Sequence, residues 1–325
     1  MGLGRVSAVL LIILLSVSAP LRADTVGVTW EDDVFVHRDY HYTNGVSLFW
    51  ARNGLQHFSD TPATWPMRWM GRLFRFSSSR YDFRAVTHAL WQTMQTPENL
   101  GLTPPKADDL PYAGLLFWEG GLYAGNAHVT DRVSLLLGVV GPSSGASSVQ
   151  HWVHHLINGN IPEGWRFQLH NEPVINLQLG REWRAWQTAY VDLVPGARLS
   201  AGLLKTEVSG SVMLRMGQQL AASFPGVDLV ASRSAFIHQS TAPAFWYFYV
   251  GLGSYYTFND LLVEGNNFGD SSGLPLKKTG VTRSLGLVWG KGALTLAAGL
   301  VDRTHRSGVL THGVRFGSIS VAWRY

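Results

Sequence analysis

Apolar residues alternate with small or polar residues along most of the chain. In one clear case, Leu285, Leu287 and Trp289 alternate with Ser284 and Gly286. Alternation with a period of two predicts β-strands whose two faces meet different surroundings. The pattern recurs and predicts twelve strands, over residues 25–31, 43–53, 82–94, 112–126, 128–140, 169–186, 188–201, 207–216, 244–257, 281–290, 293–302 and 313–325.

One segment between two predicted strands has a helical period instead. Apolar residues recur there at i, i+3, i+4 and i+7, at Val149, Trp152, Val153 and Leu156. This spacing predicts a short helix over residues 147–157, with Ser147 or Ser148 as its N-cap. Such a helix is unusual for a simple pore, so we expect it to pack at the rim or mouth of a barrel.

The N-terminus carries an export pattern. Arg5 precedes an apolar run from Val9 to Val17, and Leu21-Arg22-Ala23 follows, which is the layout of a cleaved secretory signal peptide. The apolar run is shorter than the ~20 residues that a transmembrane helix needs. We therefore predict a signal peptide over residues 1–23 and a single barrel domain over residues 24–325.

The C-terminus alternates up to the last residue. Ile319, Val321, Trp323 and Tyr325 point to one face of the predicted last strand. A final strand ending in an aromatic residue resembles the signal of bacterial outer-membrane barrels, which implies the barrel assembly machinery as a partner during biogenesis. The alternative is an ordinary amphipathic edge strand.

Composition decides what kind of sheet this is. Charged residues make up 15% of the chain, against about 25% in soluble domains, and the chain has 35 Gly and 13 Trp. These values favour an all-β, antiparallel transmembrane barrel of about twelve strands, with one short helix in a loop and an outer wall in lipid. Loss of Arg5 and Arg22 would lower the net charge from +4 to +2. No basic stripe of the kind that binds nucleic acid is evident, and the absence of Cys excludes disulfides and thiolate chemistry.

The first predicted hairpin holds a group of oxygen-bearing side chains. Glu31, Asp32 and Asp33 end the first strand, and Thr43 opens the second. Neighbouring hairpin strands place these oxygens close together, and such hard ligands suit calcium. The alternative is that the acidic residues only make a polar loop.

The predicted helix carries candidate catalytic side chains. Gln150 and His154 are four residues apart and share a face, and His151 and His155 form a second such pair. A lone histidine is more often structural than a general base. A competing motif precedes the helix, because Gly141-Pro142-Ser143-Ser144-Gly145 fits G-x-S-x-G. That motif belongs to parallel α/β sheets, whereas the pattern here is antiparallel.

An ordered set of short motifs resembles the lipid A deacylase family of the outer membrane (LpxR-type lipid A 3′-O-deacylases). The motifs run from Glu31 to Pro173, about half of the mature chain. They are Glu31-Asp32-Asp33-Val34-Phe35, Tyr42-Thr43-Asn44-Gly45, Asp109-Leu110-Pro111-Tyr112-Ala113-Gly114, Gly138-Val139-Val140-Gly141-Pro142, Val149-Gln150 with His154, Gly164-Trp165, Gln168-Leu169 and Asn171-Glu172-Pro173.

The resemblance implies a twelve-stranded, calcium-dependent outer-membrane esterase that removes an ester-linked acyl chain from lipid A of lipopolysaccharide. It makes His154 the general base, with Gln150 on the same helix. Asp33 becomes a principal metal ligand, with Thr43 beside the metal. Asp32 stands where the family usually has Asn.

Two further positions are matched less closely by the resemblance. Asn160 lies where an acidic residue can occur in the family, and the resemblance predicts it as a metal ligand. Lys106 is a loose match to the basic residues that bind the substrate. The departures at Asp32 and Asn160 leave a catalytically silent barrel, such as a porin or a structural protein, as an alternative. A serine-type outer-membrane phospholipase that uses Ser143 is a second one.

Overall fold

The computed structural model describes residues 24–36, 41–60, 65–76, 78–156, 162–234, 236–237 and 244–325. The predicted signal peptide lies outside this part of the chain. The strands are β1 (Thr25–Asp32), β2 (His41–Arg52), β3 (Phe83–Thr96), β4 (Ala113–Gly125), β5 (Val129–Val140), β6 (Glu172–Trp183), β7 (Trp186–Gln187), β8 (Val191–Gly202), β9 (Lys205–Gln218), β10 (Ala244–Asp260), β11 (Thr279–Lys291), β12 (Leu294–Arg303) and β13 (Val314–Arg324).

The strands form one closed antiparallel barrel. Each long strand pairs with its neighbours in sequence, β1 pairs with β13, and β6 pairs with β8 across the remaining gap. The cylinder thus has twelve strands, which confirms the predicted fold class, and β7 is a two-residue addition on β8. In lipid only a closed sheet satisfies every backbone amide and carbonyl between strands.

The predicted strand over residues 169–186 is too long. The observed β6 ends at Trp183, and Trp186 and Gln187 form β7. The break arises because the Ala185 amide donates to the Leu193 carbonyl of β8, 3.0 Å away, instead of continuing along β6. Period-two alternation continues through such a change of partner, so it does not mark the boundary.

Alternation separates the outer wall from the lumen. On β10, Phe248, Val250 and Leu252 are all at least half exposed, whereas Tyr247 and Tyr249 are buried. The exposed set forms a wall suited to acyl chains, and the buried set packs inside the barrel. On β4, Ala113, Leu115, Phe117 and Glu119 line the lumen, so the residues between them face outward.

A connection folds into the lumen from the end that carries the chain termini. It includes the short helix α3 (Leu220–Ser223), and its Asp228 accepts hydrogen bonds from Arg132 (3.0 Å) and Arg198 (2.8 Å) on the barrel wall. Further along, Arg233 donates to Glu31 at 2.5 and 2.7 Å. A cavity of about 420 Å³ remains inside the barrel.

Two helices precede α3 in the chain, and α4 (Leu261–Glu264) follows it. The predicted helix is present as α2 (Ala146–Leu156), and α1 (Trp65–Leu73) lies in the connection over residues 54–81, for which no element was predicted. Within the described ranges, no helix is long and apolar enough to cross a membrane.

The two ends of the barrel are distinguished by strand register. We call the end that carries Thr25, paired with Arg324, the terminal end, and the end that carries Asp32, paired with Gly317, the distal end. Because the strands are antiparallel, the connections over 97–112, 141–171, 261–278 and 304–313 all lie at the distal end. The first hairpin loop and α2 therefore share one end of the barrel.

Asp228→Asn is expected to destabilise the barrel. The substitution removes the negative charge shared by Arg132 and Arg198, and loss of one partner of a buried ion pair costs about 3–5 kcal/mol. Urea unfolding of the protein folded into lipid vesicles measures the free energy of unfolding. Asp270→Asn, at an exposed distal position, is the matched control, and equal stability of the two variants would contradict the structural role of Asp228.

Candidate active site at the distal rim

Helix α2 packs on the outer wall of the barrel. Gly114 faces outward on β4, since its neighbours Ala113 and Leu115 line the lumen. A Cβ at Gly114 would overlap the Ser144 hydroxyl and the Ala146 methyl group. On β3, Gln92 donates from Nε2 to the Ser144 carbonyl at 2.8 Å. The missing side chain at Gly114 thus lets the start of α2 lie directly on the wall.

The helix begins earlier than the sequence predicted. It starts at Ala146, and the carbonyl of Gly145 accepts from the Val149 amide at 3.1 Å, so Gly145 takes the N-cap position and neither Ser147 nor Ser148 does. Gly145 has a φ of 70°, in the left-handed region that glycine adopts without strain. This turn directs the chain from β5 into α2.

Gln150 is fixed by one hydrogen bond. Its side chain is 2% exposed, and its Oε1 accepts from Trp165 Nε1 at 2.6 Å. Its Nε2 is buried and has no hydrogen-bond partner within the described residues. An oriented amide donor at this position is suited to an oxygen atom of a bound ligand.

Trp165 is held in turn by the loop between β3 and β4. Its ring lies 5.1 Å from that of Tyr112, centroid to centroid, and a side chain at Gly164 would overlap the Tyr112 ring. The Leu169 amide donates to the Tyr112 carbonyl at 2.9 Å. Several of the motifs found in the sequence therefore meet at one place and support Gln150.

Asp109 shapes the loop that ends in Tyr112. Its carboxylate accepts from the amides of Leu110 (2.7 Å) and Glu98 (2.9 Å). Burial raises the pKa of Asp109, while these amide hydrogen bonds oppose the rise. Lys106 lies on the same loop and is exposed to solvent.

The three histidines of α2 lie on different faces of the helix. His154 follows Gln150 by four residues on the same helix, so the backbone places both on one face. The structure does not describe the side chain of His154. Asn160 lies outside the described residues. His151 and His155 are exposed, as expected for a pair on a different face from the buried Gln150.

The first hairpin divides its acidic residues between two sides of the wall. Glu31 points inward and binds Arg233. Asp32 points outward, where its carboxylate accepts from Asn44 Nδ2 (2.7 Å), the Val34 amide (2.9 Å) and Trp30 Nε1 (3.3 Å). These three hydrogen bonds connect Asp32 to both strands of the hairpin and to the turn between them, so Asp32 stabilises the end of the hairpin.

Asp33 and Thr43 complete the hairpin part of the site. Asp33 is 1% exposed and directly follows β1. Thr43 is the extra residue of a β-bulge, since Tyr42 pairs with Gln95 and Asn44 with Met94. Bulges often redirect a side chain next to an active site, although the Thr43 side chain itself is outside the description.

The donor set at this rim fits calcium only in part. Asp33 offers one buried carboxylate, a ligand type that calcium prefers. The described ranges contain no group of three or more His, Cys, Asp or Glu side chains able to hold a metal. A calcium ion would therefore need oxygens beyond the described carboxylates, such as those predicted at Thr43 and Asn160.

The strand pairing places the end of the first hairpin near α2. Asp32 pairs with Asn44, Asn44 with Met94, and Met94 with Gly114, on which α2 lies. At about 4.8 Å per strand spacing, Asp32 is roughly 14 Å from Gly114. Because α2 contacts both β3 and β4, the helix backbone that carries His154 and the hairpin that carries Asp33 lie near each other at the distal rim.

Ser143 has no catalytic environment in the described part of the chain. It is exposed in a 3-10 turn, and its amide donates to Asn171 Oδ1 at 2.7 Å. No described histidine is hydrogen-bonded to its hydroxyl. The G-x-S-x-G string serves here as the turn that leads into α2.

Comparison with known proteins gives the family. The profile described as "Outer membrane protein LpxR" matches residues 6–325. This chain belongs to the LpxR family. LpxR from Salmonella typhimurium has the same fold, with a TM-score of 0.76 and 14% identity over 93% of this chain and 100% of that one. No curated protein sequence matches this chain.

Other barrels resemble this LpxR-family chain less closely. The β domain of the Bordetella autotransporter BrkA has a TM-score of 0.46 at 12% identity, over 93% of this chain and 98% of that one. The translocator domain of NalP from Neisseria meningitidis has a TM-score of 0.44 at 12% identity, over 98% and 95% of the two chains.

The residues that support Gln150 and Asp32 were not predicted from the sequence. The motifs include Trp165, Tyr112 and Asn44, but the sequence analysis assigned these residues no role. Gly164 next to Trp165 was the available indication, because glycine beside a large aromatic often marks close packing. Which aromatic ring it packs on is a property of the fold alone.

Gly114→Val is expected to detach α2 from the wall and leave the barrel intact. The valine side chain would occupy the space of Ser144 and Ala146. Limited proteolysis should then cut the connection over residues 141–171 much faster, while the heat-dependent mobility shift of the folded barrel on gels persists. Gly308→Val is the control, because a Cβ there meets no atom within 4 Å. Unchanged proteolysis would refute the docking role of Gly114.

Proposed function

We propose that this protein hydrolyses an ester-linked acyl chain on lipid A of lipopolysaccharide in the outer leaflet of the outer membrane. Membership of the LpxR family supports the proposal. The observation that carries it is the position of α2 on the outer wall at the distal end, where Gly114 admits it. A lipid substrate reaches a site there by lateral diffusion, with its acyl chains still in the membrane.

The proposed reaction needs no covalent intermediate. His154 removes a proton from water, and the resulting hydroxide attacks the ester carbonyl carbon. The tetrahedral intermediate collapses with cleavage of the bond to the sugar oxygen, and the protonated His154 returns the proton to that oxygen. A fatty acid and a free sugar hydroxyl result. General base assistance of this kind is typically worth about 10² to 10⁴ in rate.

Gln150 is the proposed donor to the carbonyl oxygen. Trp165 fixes its Oε1 and leaves the buried Nε2 without a protein partner in the described ranges. An oriented donor stabilises the negative charge that develops on this oxygen. Calcium, when bound, would add Lewis-acid stabilisation of the same charge, and Asp33 with Thr43 and Asn160 are its proposed ligands. Asp32 is left out of this set because its carboxylate accepts hydrogen bonds from Asn44, Val34 and Trp30.

The remaining partners follow from the same proposal. Lys106, exposed on the distal loop between β3 and β4, is proposed to bind a phosphate group of lipid A. The barrel is proposed to reach the membrane with a cleaved signal peptide and the barrel assembly machinery. A porin is the weaker candidate because Phe224, Asp228 and Arg233 occupy the lumen.

His154→Asn is expected to lower fatty acid release from lipopolysaccharide at least ~10²-fold, because the base is lost. The measurement is mass spectrometry of lipid A incubated with purified protein and calcium. His155→Asn, on the exposed side of the same helix, should retain activity. Loss of activity in Ser143→Ala, with His154→Asn active, would instead favour the serine phospholipase. Inactive wild-type protein beside an active control enzyme would favour a silent barrel.

Asp33→Asn is expected to weaken calcium binding and so to raise the calcium concentration needed for half-maximal activity. Asp32→Asn is expected to leave this concentration unchanged. Asn at position 32 retains an oxygen that can accept from the Val34 amide, and the carboxylate of Asp33 is the proposed ligand. Titration of activity with calcium after chelator treatment should show a shifted midpoint for Asp33→Asn only. An unchanged midpoint in that variant would remove Asp33 from the ligand set.

A further inference from the structure

Helix α1 is a second helix on the outer wall of the barrel. Met67, Met70 and Gly71 are buried, and α1 contacts β4 and β5. Met67 lies against Gly120, and Gly71 against Leu122, both at outward positions of β4. Since its connection joins β2 to β3, α1 lies toward the terminal end, opposite to α2.

The exposed surface of α1 has two distinct stripes. Trp65, Trp69 and Leu73 follow one another at four-residue intervals and are 73%, 58% and 56% exposed. Arg68 and Arg72 form a parallel stripe beside them and are also exposed. At 100° per residue, the apolar stripe and the arginine stripe lie next to each other, opposite the buried methionines. A helix with one face on protein, one for apolar chains and one cationic is suited to a membrane interface.

The arginines of this helix have no acidic partner in the part of the chain that the structure describes. No described acidic side chain makes an ion pair with Arg68, Arg72 or Arg75, and Arg75 directly extends the stripe beyond the helix. In contrast, Arg181 on the nearby wall binds Asp131 at 2.5 Å. Three adjacent cations without counter-charges indicate that the partner is an anion outside the protein.

The strand topology indicates which membrane leaflet α1 contacts. An exported chain enters the outer membrane from the periplasm, and an even number of strands returns both termini to that side. The terminal end also has the tight turns over 126–128 and 292–293, as periplasmic ends do. Trp183 and Trp186 are exposed near this end, where interfacial tryptophans are expected. The anions within reach are therefore phospholipid headgroups of the inner leaflet, since lipopolysaccharide lies at the other end.

We propose that α1 is an interfacial helix that binds anionic glycerophospholipids of the periplasmic leaflet. Trp65, Trp69 and Leu73 insert among the acyl chains, and the guanidinium groups of Arg68, Arg72 and Arg75 bind headgroup phosphates. Arginine suits this role because its planar donors match phosphate oxygens in pairs. A second copy of this chain fits less well, since symmetric contact would bring two such cationic stripes together.

The two wall helices share one strand. Both α1 and α2 pack on β4, at Gly120 and Gly114 respectively. Headgroup binding at α1 would therefore limit how far β4 can move along the membrane normal, and α2 packs on this same strand. The inference is independent of the proposed hydrolysis, because it concerns the opposite leaflet and different residues.

The first test measures lipid binding by the full-length protein in nanodiscs of phosphatidylethanolamine with increasing phosphatidylglycerol. Native mass spectrometry of the released protein counts retained phosphatidylglycerol. Arg72→Gln should weaken retention roughly fivefold, and Arg68→Gln/Arg72→Gln/Arg75→Gln should weaken it further, by a similar factor per arginine. Arg283→Gln, an exposed arginine beside Asp302 at the distal end, is the matched control and should change nothing. Equal retention by the triple variant and the wild type would overturn the proposal.

The second test measures depth, and the absence of cysteine from the chain makes single labels specific. A spin label at Trp69→Cys should be accessible to oxygen dissolved in lipid, and a label at Arg72→Cys to a water-soluble nickel complex. Reversed accessibilities would overturn the proposal. Strong broadening between labels on two chains would also overturn it, in favour of a dimer contact.

Discussion

Closure of the sheet is the constraint on which the rest of the structure depends. Within lipid, the amides and carbonyls of a strand have no partner except another strand. The pairing of Asn176–Glu182 on β6 with Gly196–Gly202 on β8 removes the last free edge. Everything else must then attach to the inside or the outside of a cylinder, and the direction of each side chain is set by its position along the strand.

The inside is used for charge. Arg132 and Arg198 share Asp228, and Arg233 meets Glu31, so the connection after β9 is joined to the wall by ion pairs. Each charge is costly to bury alone and acceptable when paired. A lumen filled in this way leaves the outer wall as the surface that meets lipid.

The outside is used for helices. Gly114 on β4 leaves room for the start of α2, and at Gly120 the Trp118 ring and Met67 of α1 fill the space beside the strand. The two helices thus occupy the same side of the barrel at opposite ends. One lies beside the first hairpin, and the other carries arginines that form no ion pair with any described acidic side chain. Both helices contact β4, so this one strand connects the surroundings of α1 with those of α2.

The sequence alone determined the barrel, its strands to within about three residues, and the segment that forms α2, because period and composition are local properties that lipid on one face imposes on every strand. It also collected Asp33, Thr43, Gln150 and Lys106 as candidates. Only the tertiary structure decided that Trp165 orients Gln150, that Asp32 is occupied by hairpin hydrogen bonds, and that α1 exists with its stripe of arginines. These features depend on contacts between residues far apart in the chain, and such contacts are set by register and closure, which leave no periodic trace in the sequence.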